Sequence, residues 1–262
     1  MTGVRALSAI VAISVLLPAI VFGGERAMVA IVGAVVAGGL LEYSAMVDKS
    51  RRAPELLVVG LALYFSIIYG PPDLTRTVCM LGVLVLFSLA MMRGLSPEEA
   101  LRRGSGHVLG VAWIGGFAAC LPLLSRASLS WVWLLFAITW LGDGGAYFCG
   151  RAFGKHKLAP VVSPNKTWEG VCGGMALAVV GALGIRAWLL AEVPWIHAVV
   201  LGVLLTGTGV LGDLAESLVK RASGVKDSGR IMPGHGGFLD RVDSLLFSAP
   251  VLFLYLTNLL GL

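Results

Sequence analysis

The chain has 262 residues, 57% of them hydrophobic and only 13% charged, with a formal net charge of +5 and a mean hydropathy of +0.88. Soluble domains carry roughly 25% charged residues, so a water-soluble globular enzyme is excluded. Apolar runs of about 20 residues recur along the whole length, which marks an all-α polytopic membrane protein.

Nine spans are predicted, at residues 6–22, 28–47, 56–70, 77–92, 107–124, 131–149, 171–190, 196–216 and 244–262. The first follows Arg5 and imitates a signal peptide, but no small-residue cleavage site and soluble domain come after it, so it reads as a span. Glu42, in the second, reads as packed against another helix or near the interface rather than as catalytic. The third and fourth are short. The sixth and eighth are interrupted near their ends by Gly and Asp, an irregularity tolerated at membrane depth only inside protein or along a watery cavity. Cys79, Cys120, Cys149 and Cys172 lie in or beside apolar runs without CxxC spacing, so they read as small buried hydrophobes rather than zinc ligands or disulfides. Trp131, Trp133, Trp188, Trp195 and His197 read as interfacial anchors on the outer side. Most glycines of spans two, five, seven and eight permit close helix packing.

Charge placement sets the orientation. Loops after even-numbered spans hold Lys49, Arg51, Arg52, Arg93, Arg102, Arg103, Arg151, Lys155, Lys157, Lys166, Lys220, Arg221, Lys226, Arg230 and Arg241. Those after odd-numbered spans hold only Arg26, Arg76 and Arg126, with Arg186 near the end of the seventh span. Fifteen, four and Arg5 account for all 20 Lys and Arg. The N-terminus and the polar loops 150–170 and 217–243 are therefore expected on the cytoplasmic side, where nucleotides are. Residues 1–262 are expected to form one integral domain, with 1–130 a scaffold and oligomerisation half and 131–262 the catalytic half.

Asp143 lies inside the sixth apolar run beside two glycines, and the first of these loops carries Arg151, Lys155 and the dense turn Ser163, Asn165, Lys166, Thr167 and Glu169. Thr167 is placed to cap the seventh span, and Lys166 falls where an anion meets a helix N-terminus. Capping alone is enough for Thr167 and Glu169, but not for Lys166 with Arg151 and Lys155 nearby. At the end of the eighth span, Asp213, Glu216, Ser217 and Lys220 share one helical face. Such a stripe suits a divalent metal with a phosphate, or else a solvated helix end with an internal ion pair. Asp240 and Asp243 again share a face. Hard oxygen ligands from two helices suit Mg²⁺, making Asp213 and Asp240 a candidate pair, while N-terminal capping is the alternative and fits Asp243 better. Between them lie Lys220, Arg221, Lys226, Asp227, Arg230 and the turn Pro233-Gly234-His235-Gly236-Gly237, whose glycines allow backbone to approach a phosphate. His235 alone is a weak signal.

Ser217, Lys220-Arg221, Lys226-Asp227, Pro233, His235-Gly236-Gly237 and Asp240-Arg241-x-Asp243 resemble the signature of bacterial phosphatidate cytidylyltransferases. Asp143, Ala146-Tyr147, Gly150-Arg151, Phe153-Gly154-Lys155 and Ser163-Pro164-x-Lys166-Thr167-x-Glu169-Gly170 are similar to the same family. The likeness is strong over 140–244 and extends to the N-terminal half only in length and span number. It implies a multi-pass enzyme of the bacterial inner membrane that converts CTP and phosphatidic acid to CDP-diacylglycerol and pyrophosphate in a polar, cytoplasm-facing cavity. It further implies dependence on Mg²⁺, a monovalent cation such as K⁺ in an assisting role, and a homodimer; no nucleic-acid partner is expected. Under it, Asp213 and Asp240 hold the metal. Ser217, Lys220, Arg221, Lys226, Asp227, His235, Arg241 and Asp243 form the catalytic set. Asp143, Arg151, Lys155, Ser163, Lys166, Thr167 and Glu169 bind substrate. A CTP-dependent lipid kinase is the nearest alternative. An ion-coupled transporter predicts an inverted repeat, which is not evident, and the pattern of CDP-alcohol phosphotransferases is missing.

Overall fold

The computed structural model describes residues 2–48, 53–229 and 236–261 and, in the first helix, side chains from Ile20 onward. Its helices are α1 (Thr2–Asp48), α2 (Pro54–Tyr69), α3 (Pro72–Met92), α4 (Pro97–Gly110), α5 (Cys120–Ala127), α6 (Leu129–Phe153), α7 (Trp168–Leu189), α8 (Trp195–Ser223) and α9 (Leu239–Tyr255). A π-helical stretch, Val111–Phe117, lies between α4 and α5, and another, Leu256–Leu260, follows α9.

Local chemistry sets the breaks. Pro54, Pro72 and Pro97 open α2, α3 and α4, where a missing N–H costs nothing. Ser96 accepts a hydrogen bond from Glu99 N at 3.3 Å in a Ser-x-x-Glu box. Inside α1, Gly24 leaves helical geometry at φ 59°, a conformation open to glycine, so the long helix divides where the first two expected spans meet.

Seven helices are long and apolar enough to cross a membrane among the described residues: Ile20–Asp48, Pro72–Met92, Pro97–Ala127, Leu129–Phe153, Trp168–Leu189, Trp195–Ser223 and Leu239–Leu260. The third expected span is the 16-residue helix Pro54–Tyr69. At 1.5 Å per residue it reaches about 24 Å, short of a hydrocarbon core of about 30 Å. The first expected span lies mostly among the residues without described side chains. Nine spans of equal standing are therefore not recovered.

The other departure from an all-helical chain is a small antiparallel hairpin, β1 (Lys157–Ala159) and β2 (Ser163–Thr167), pairing Lys157 with Thr167 and Ala159 with Ser163. It occupies the expected polar loop between α6 and α7.

The chain forms two compact units, Met1–Leu123 with Ala222–Arg241, and Leu124–Arg221 with Val242–Leu262. In the first, Leu40, Tyr43, Leu56, Tyr64 and Ile114 are fully buried. Tyr64 Oη donates to Val29 O at 2.9 Å and Tyr43 Oη to Gly106 O at 2.9 Å. Asp48, at the end of α1, meets Arg103 at 2.8 Å and His107 at 3.0 Å, all three buried. Met80, Leu81 and Leu84 of α3 are among its exposed apolar residues, a face suited to lipid tails.

In the second unit α6 and α7 approach through small residues. A Cβ on Gly145 would meet Gly173 O at 2.8 Å, and one on Gly174 would meet Gly142 O at 2.7 Å. This is the close backbone contact that small residues allow in membranes. Arg186 closes the far end of α7 by donating to Ala191 O and Val193 O at 2.8 and 2.7 Å.

Candidate active site

In the second unit the polar residues converge at one end, where α6 and α8 finish and α7 and α9 begin. Thr167, the last residue of β2, caps α7 by accepting from Gly170 N at 3.2 Å, as its sequence context predicts. That cap fixes the strand preceding it. Lys166 then reaches Asp213 on α8, Nζ to Oδ2 at 2.6 Å. Ser217, one turn further on, donates to Asp213 Oδ1 at 3.3 Å.

Asp143 of α6 and Asp243 of α9 both feel the charges of Asp213 and Lys166. Gly212 makes this convergence possible. A Cβ there would stand 2.5 Å from Asp243 O, so only glycine lets the two helices meet beside Asp213. Asp213 is thus the carboxylate paired with this ammonium, and the charges of Asp143 and Asp243 act beside it. A cavity extends below them, lined by Thr139, Gly142, Asp143, Thr206, Gly209 and Ser244.

The expected stripe on α8 is real, but its members part company. Asp213 and Ser217 join the cluster, whereas Lys220 pairs with the buried Glu216 at 2.6 Å. The internal ion pair foreseen as an alternative therefore accounts for Glu216 and Lys220, though not for Asp213. Lys166 is held by a carboxylate rather than standing open at the α7 N-terminus. Glu169 accepts from the backbone of Lys155 and His156 at 3.1 and 3.2 Å, and its Oε1 lies 2.6 Å from His156 Nδ1. It thereby ties the end of α6 to the start of α7. Arg151 donates to Tyr147 Oη at 3.0 Å and is exposed. Ser163 pairs with Ala159 in the hairpin.

The first unit holds the other part of the signature. Arg221 closes the second unit; beyond it Lys226 and Asp227 are exposed, and Ser228 is buried. Asp240 Oδ2 accepts three hydrogen bonds, from Ser228 N at 3.0 Å, Ser228 Oγ at 2.9 Å and Gly237 N at 2.8 Å. Gly236 enters this turn at φ 83°, where a side chain is strained. The expectation that Asp243 suits helix capping better than Asp240 is reversed. Asp240 stands in the first turn of α9 and takes the amide bonds, while Asp243 lies a turn deeper and is coupled to Asp213. Arg241 is exposed, with its backbone N bonded to Phe238 O at 3.1 Å. His235, with Arg230, Pro233 and Gly234, lies outside the described residues.

Glu42, expected to pack against another helix or lie near the interface, is buried and bonded to the start of α9. This side chain is 5% exposed and accepts from Phe238 N at 2.9 Å, Leu239 N at 3.1 Å and Ser228 Oγ at 3.2 Å. Removing such an acceptor strands buried donors, at a cost of about 1–3 kcal/mol each. The signal was available as a lone carboxylate in an otherwise apolar span, which by default points to function.

Among the described residues no three His, Cys, Asp or Glu side chains gather closely enough to hold a metal by themselves. The donors present are carboxylate and hydroxyl oxygens, the chemistry of Mg²⁺ rather than of softer metals, and Mg²⁺ habitually takes one or two carboxylates and completes its shell with substrate phosphates and water. The donor set fits that mode of binding.

A bundle of membrane-length helices that gathers acids, lysines and a hydroxyl at one end defines a class, the integral membrane proteins built for phosphate chemistry. Within it, this chain belongs to the cytidylyltransferase family, whose pattern it matches over residues 3–259. It is 34% identical to a Staphylococcus saprophyticus protein named phosphatidate cytidylyltransferase, across 98% of this chain and 99% of that one. A Staphylococcus epidermidis protein of the same name is 37% identical across 95% and 96%. A Brucella suis protein so named is 46% identical over 158 residues, so there the chain spans 58% of the relative's length.

Proposed function

We propose that this chain is a phosphatidate cytidylyltransferase of the bacterial inner membrane, using CTP and phosphatidic acid to make CDP-diacylglycerol and pyrophosphate. The observation that carries the reading is the Lys166–Asp213 ion pair, which joins the substrate loop and the signature helix in a chain similar to enzymes of that name along nearly its whole length. The positive-inside distribution of Lys and Arg supports cytoplasmic placement of the N-terminus and both polar loops. A homodimer remains part of the proposal.

In the reaction, a phosphatidate oxygen attacks the α-phosphorus of CTP as the bond to the β-phosphate oxygen breaks. The phosphatidate monoester is dianionic near neutral pH, so no protein base has to remove a proton. The protein's work is positioning and charge neutralisation. Lys166 and Lys220 are each held by a carboxylate at 2.6 Å, and ordered ammonium groups meet incoming phosphates without further loss of side-chain freedom. Arg221, Lys226 and Arg241 add positive charge along the signature, and Arg151 and Lys155 do so on the nucleotide side. Mg²⁺, with Asp213 and Asp240 as its proposed protein ligands and K⁺ as a second cation, would neutralise charge on the CTP phosphates.

The test is CTP-dependent pyrophosphate release by the purified protein in detergent with phosphatidate. Label from the α-phosphate should enter the lipid. Label entering only from the γ-phosphate would replace this reading with a lipid kinase.

A further inference from the structure

We propose that Glu42, far from the signature in sequence, is a positioning residue that locks the signature's turn and through it sets the carboxylate of Asp240. Its kinetic arm rests on the cytidylyltransferase reading; its structural arm does not.

Glu42 lies one turn beyond Gly38-Gly39 of α1, and both glycines serve the same contact. A Cβ on Gly38 would drive into the Phe238 ring, and one on Gly39 would stand 3.0 Å from Leu239 Cδ2. Phe238 and Leu239 therefore seat on bare helix backbone, and their amides fall on Glu42. The two carboxylate oxygens divide the work. Oε1 accepts Phe238 N, while Oε2 accepts Leu239 N and shares the single Ser228 hydroxyl proton with Asp240 Oδ2.

Ser228 is the hinge pin. Its hydroxyl lies 3.2 Å from Glu42 Oε2 and 2.9 Å from Asp240 Oδ2, and its own amide bonds the latter. Gly237 completes the interlock, because a Cβ there would collide with both Ser228 Oγ and Glu42 Oε2. Glu42 and Asp240 are thus two acceptors organising one set of donors, and Asp240 cannot shift without disturbing contacts that Glu42 also makes. An isolated buried carboxylate in an apolar span is costly unless its bonds are satisfied. Here backbone amides and one hydroxyl meet it.

A glutamine at position 42 has one oxygen for two amide-facing positions, so in either orientation an N–H faces an NH₂. The test uses the full-length enzyme in detergent, as wild type, Glu42→Gln and Glu42→Ala, followed by hydrogen exchange and by kcat at saturating CTP and Mg²⁺. Exchange should quicken in peptides covering 228–229 and 236–243 and stay unchanged across α6 and α7. On the scale of losing a partner that orients a metal-binding group, kcat should fall about 10-fold for Gln and about 100-fold for Ala. Wild-type exchange in the turn, or wild-type kcat in both variants, overturns the proposal. Faster exchange throughout the chain in both variants overturns it too, since Glu42 would then be a general stabiliser. If wild type itself releases no pyrophosphate, the activity reading fails while the exchange arm still judges Glu42.

Discussion

The two acidic centres of this molecule are built on opposite principles. In the first unit, Glu42 and Asp240 share a set of neutral donors: three backbone amides beyond Ser228, and that serine's own N–H and hydroxyl. In the second, Asp213 pairs with Lys166 at 2.6 Å, and the charges of Asp143 and Asp243 act beside that pair. An amide cage fixes geometry. A carboxylate–ammonium pair beside further acids is instead suited to admit cations and to meet incoming phosphates. One centre sets position and the other handles charge.

The largest effects should come from removing charge without removing shape. Asp213→Asn leaves Lys166 facing an amide in place of a carboxylate. It should cut turnover at least about 100-fold, the scale of losing one preorganised electrostatic contact. Asp240→Asn separates the two principles more sharply. The bonds from Ser228 and Gly237 all fall on Oδ2, so an asparagine that presents its oxygen there keeps those three. Its expected outcome is a comparable loss of turnover at saturating Mg²⁺ with hydrogen exchange in the turn unchanged. Near-normal activity would remove Asp240 from the metal assignment and leave it a purely architectural residue.

Much of the second centre was legible in the sequence because helical arithmetic is local. Asp213 and Ser217, four residues apart, fall on one face, and Thr167 followed by an apolar run reads as a cap. The pairing of Lys166 with Asp213 was not legible, since it joins positions 47 residues apart in sequence through the packing of a hairpin onto a helix. The amide cage was harder still. Glu42 and Leu239 are 197 residues apart, and no periodicity links them; the only local hint was one carboxylate among apolar neighbours. The span count was legible only in part for a third reason: hydropathy finds apolar runs without fixing their length, and α2, with 16 residues, is shorter than the seven helices of membrane length among the described residues.

A smaller effect separates the cage from its contents. Gly237→Ala adds one methyl group where Ser228 Oγ and Glu42 Oε2 already stand. Overpacking of this kind costs about 1–3 kcal/mol, and the turn should open rather than the helices part. In a thermal melt followed in detergent, the variant should unfold at lower temperature than wild type. Combining it with Ser228→Ala and Glu42→Ala removes both obstructing groups, so the added penalty of the methyl should shrink. An undiminished penalty in that background would mean that the cage is not what excludes a side chain at 237.

The smallest expected change lies at the hinge between hairpin and helix in the second unit. Thr167 Oγ1 accepts from Gly170 N at 3.2 Å and is buried. Thr167→Ala should cost about 1 kcal/mol through the lost cap, while Thr167→Ser keeps the oxygen and most of the stability. Because Lys166 precedes the cap directly, the kinetic signature matters more than the melt. If the cap aims Lys166, alanine should raise the KM for CTP by a few-fold, and serine should restore it. An alanine variant with lowered thermal stability and wild-type KM would show that the 2.6 Å pairing with Asp213 aims the lysine unaided. The charge-handling centre would then order itself from within, without relying on the backbone that delivers it.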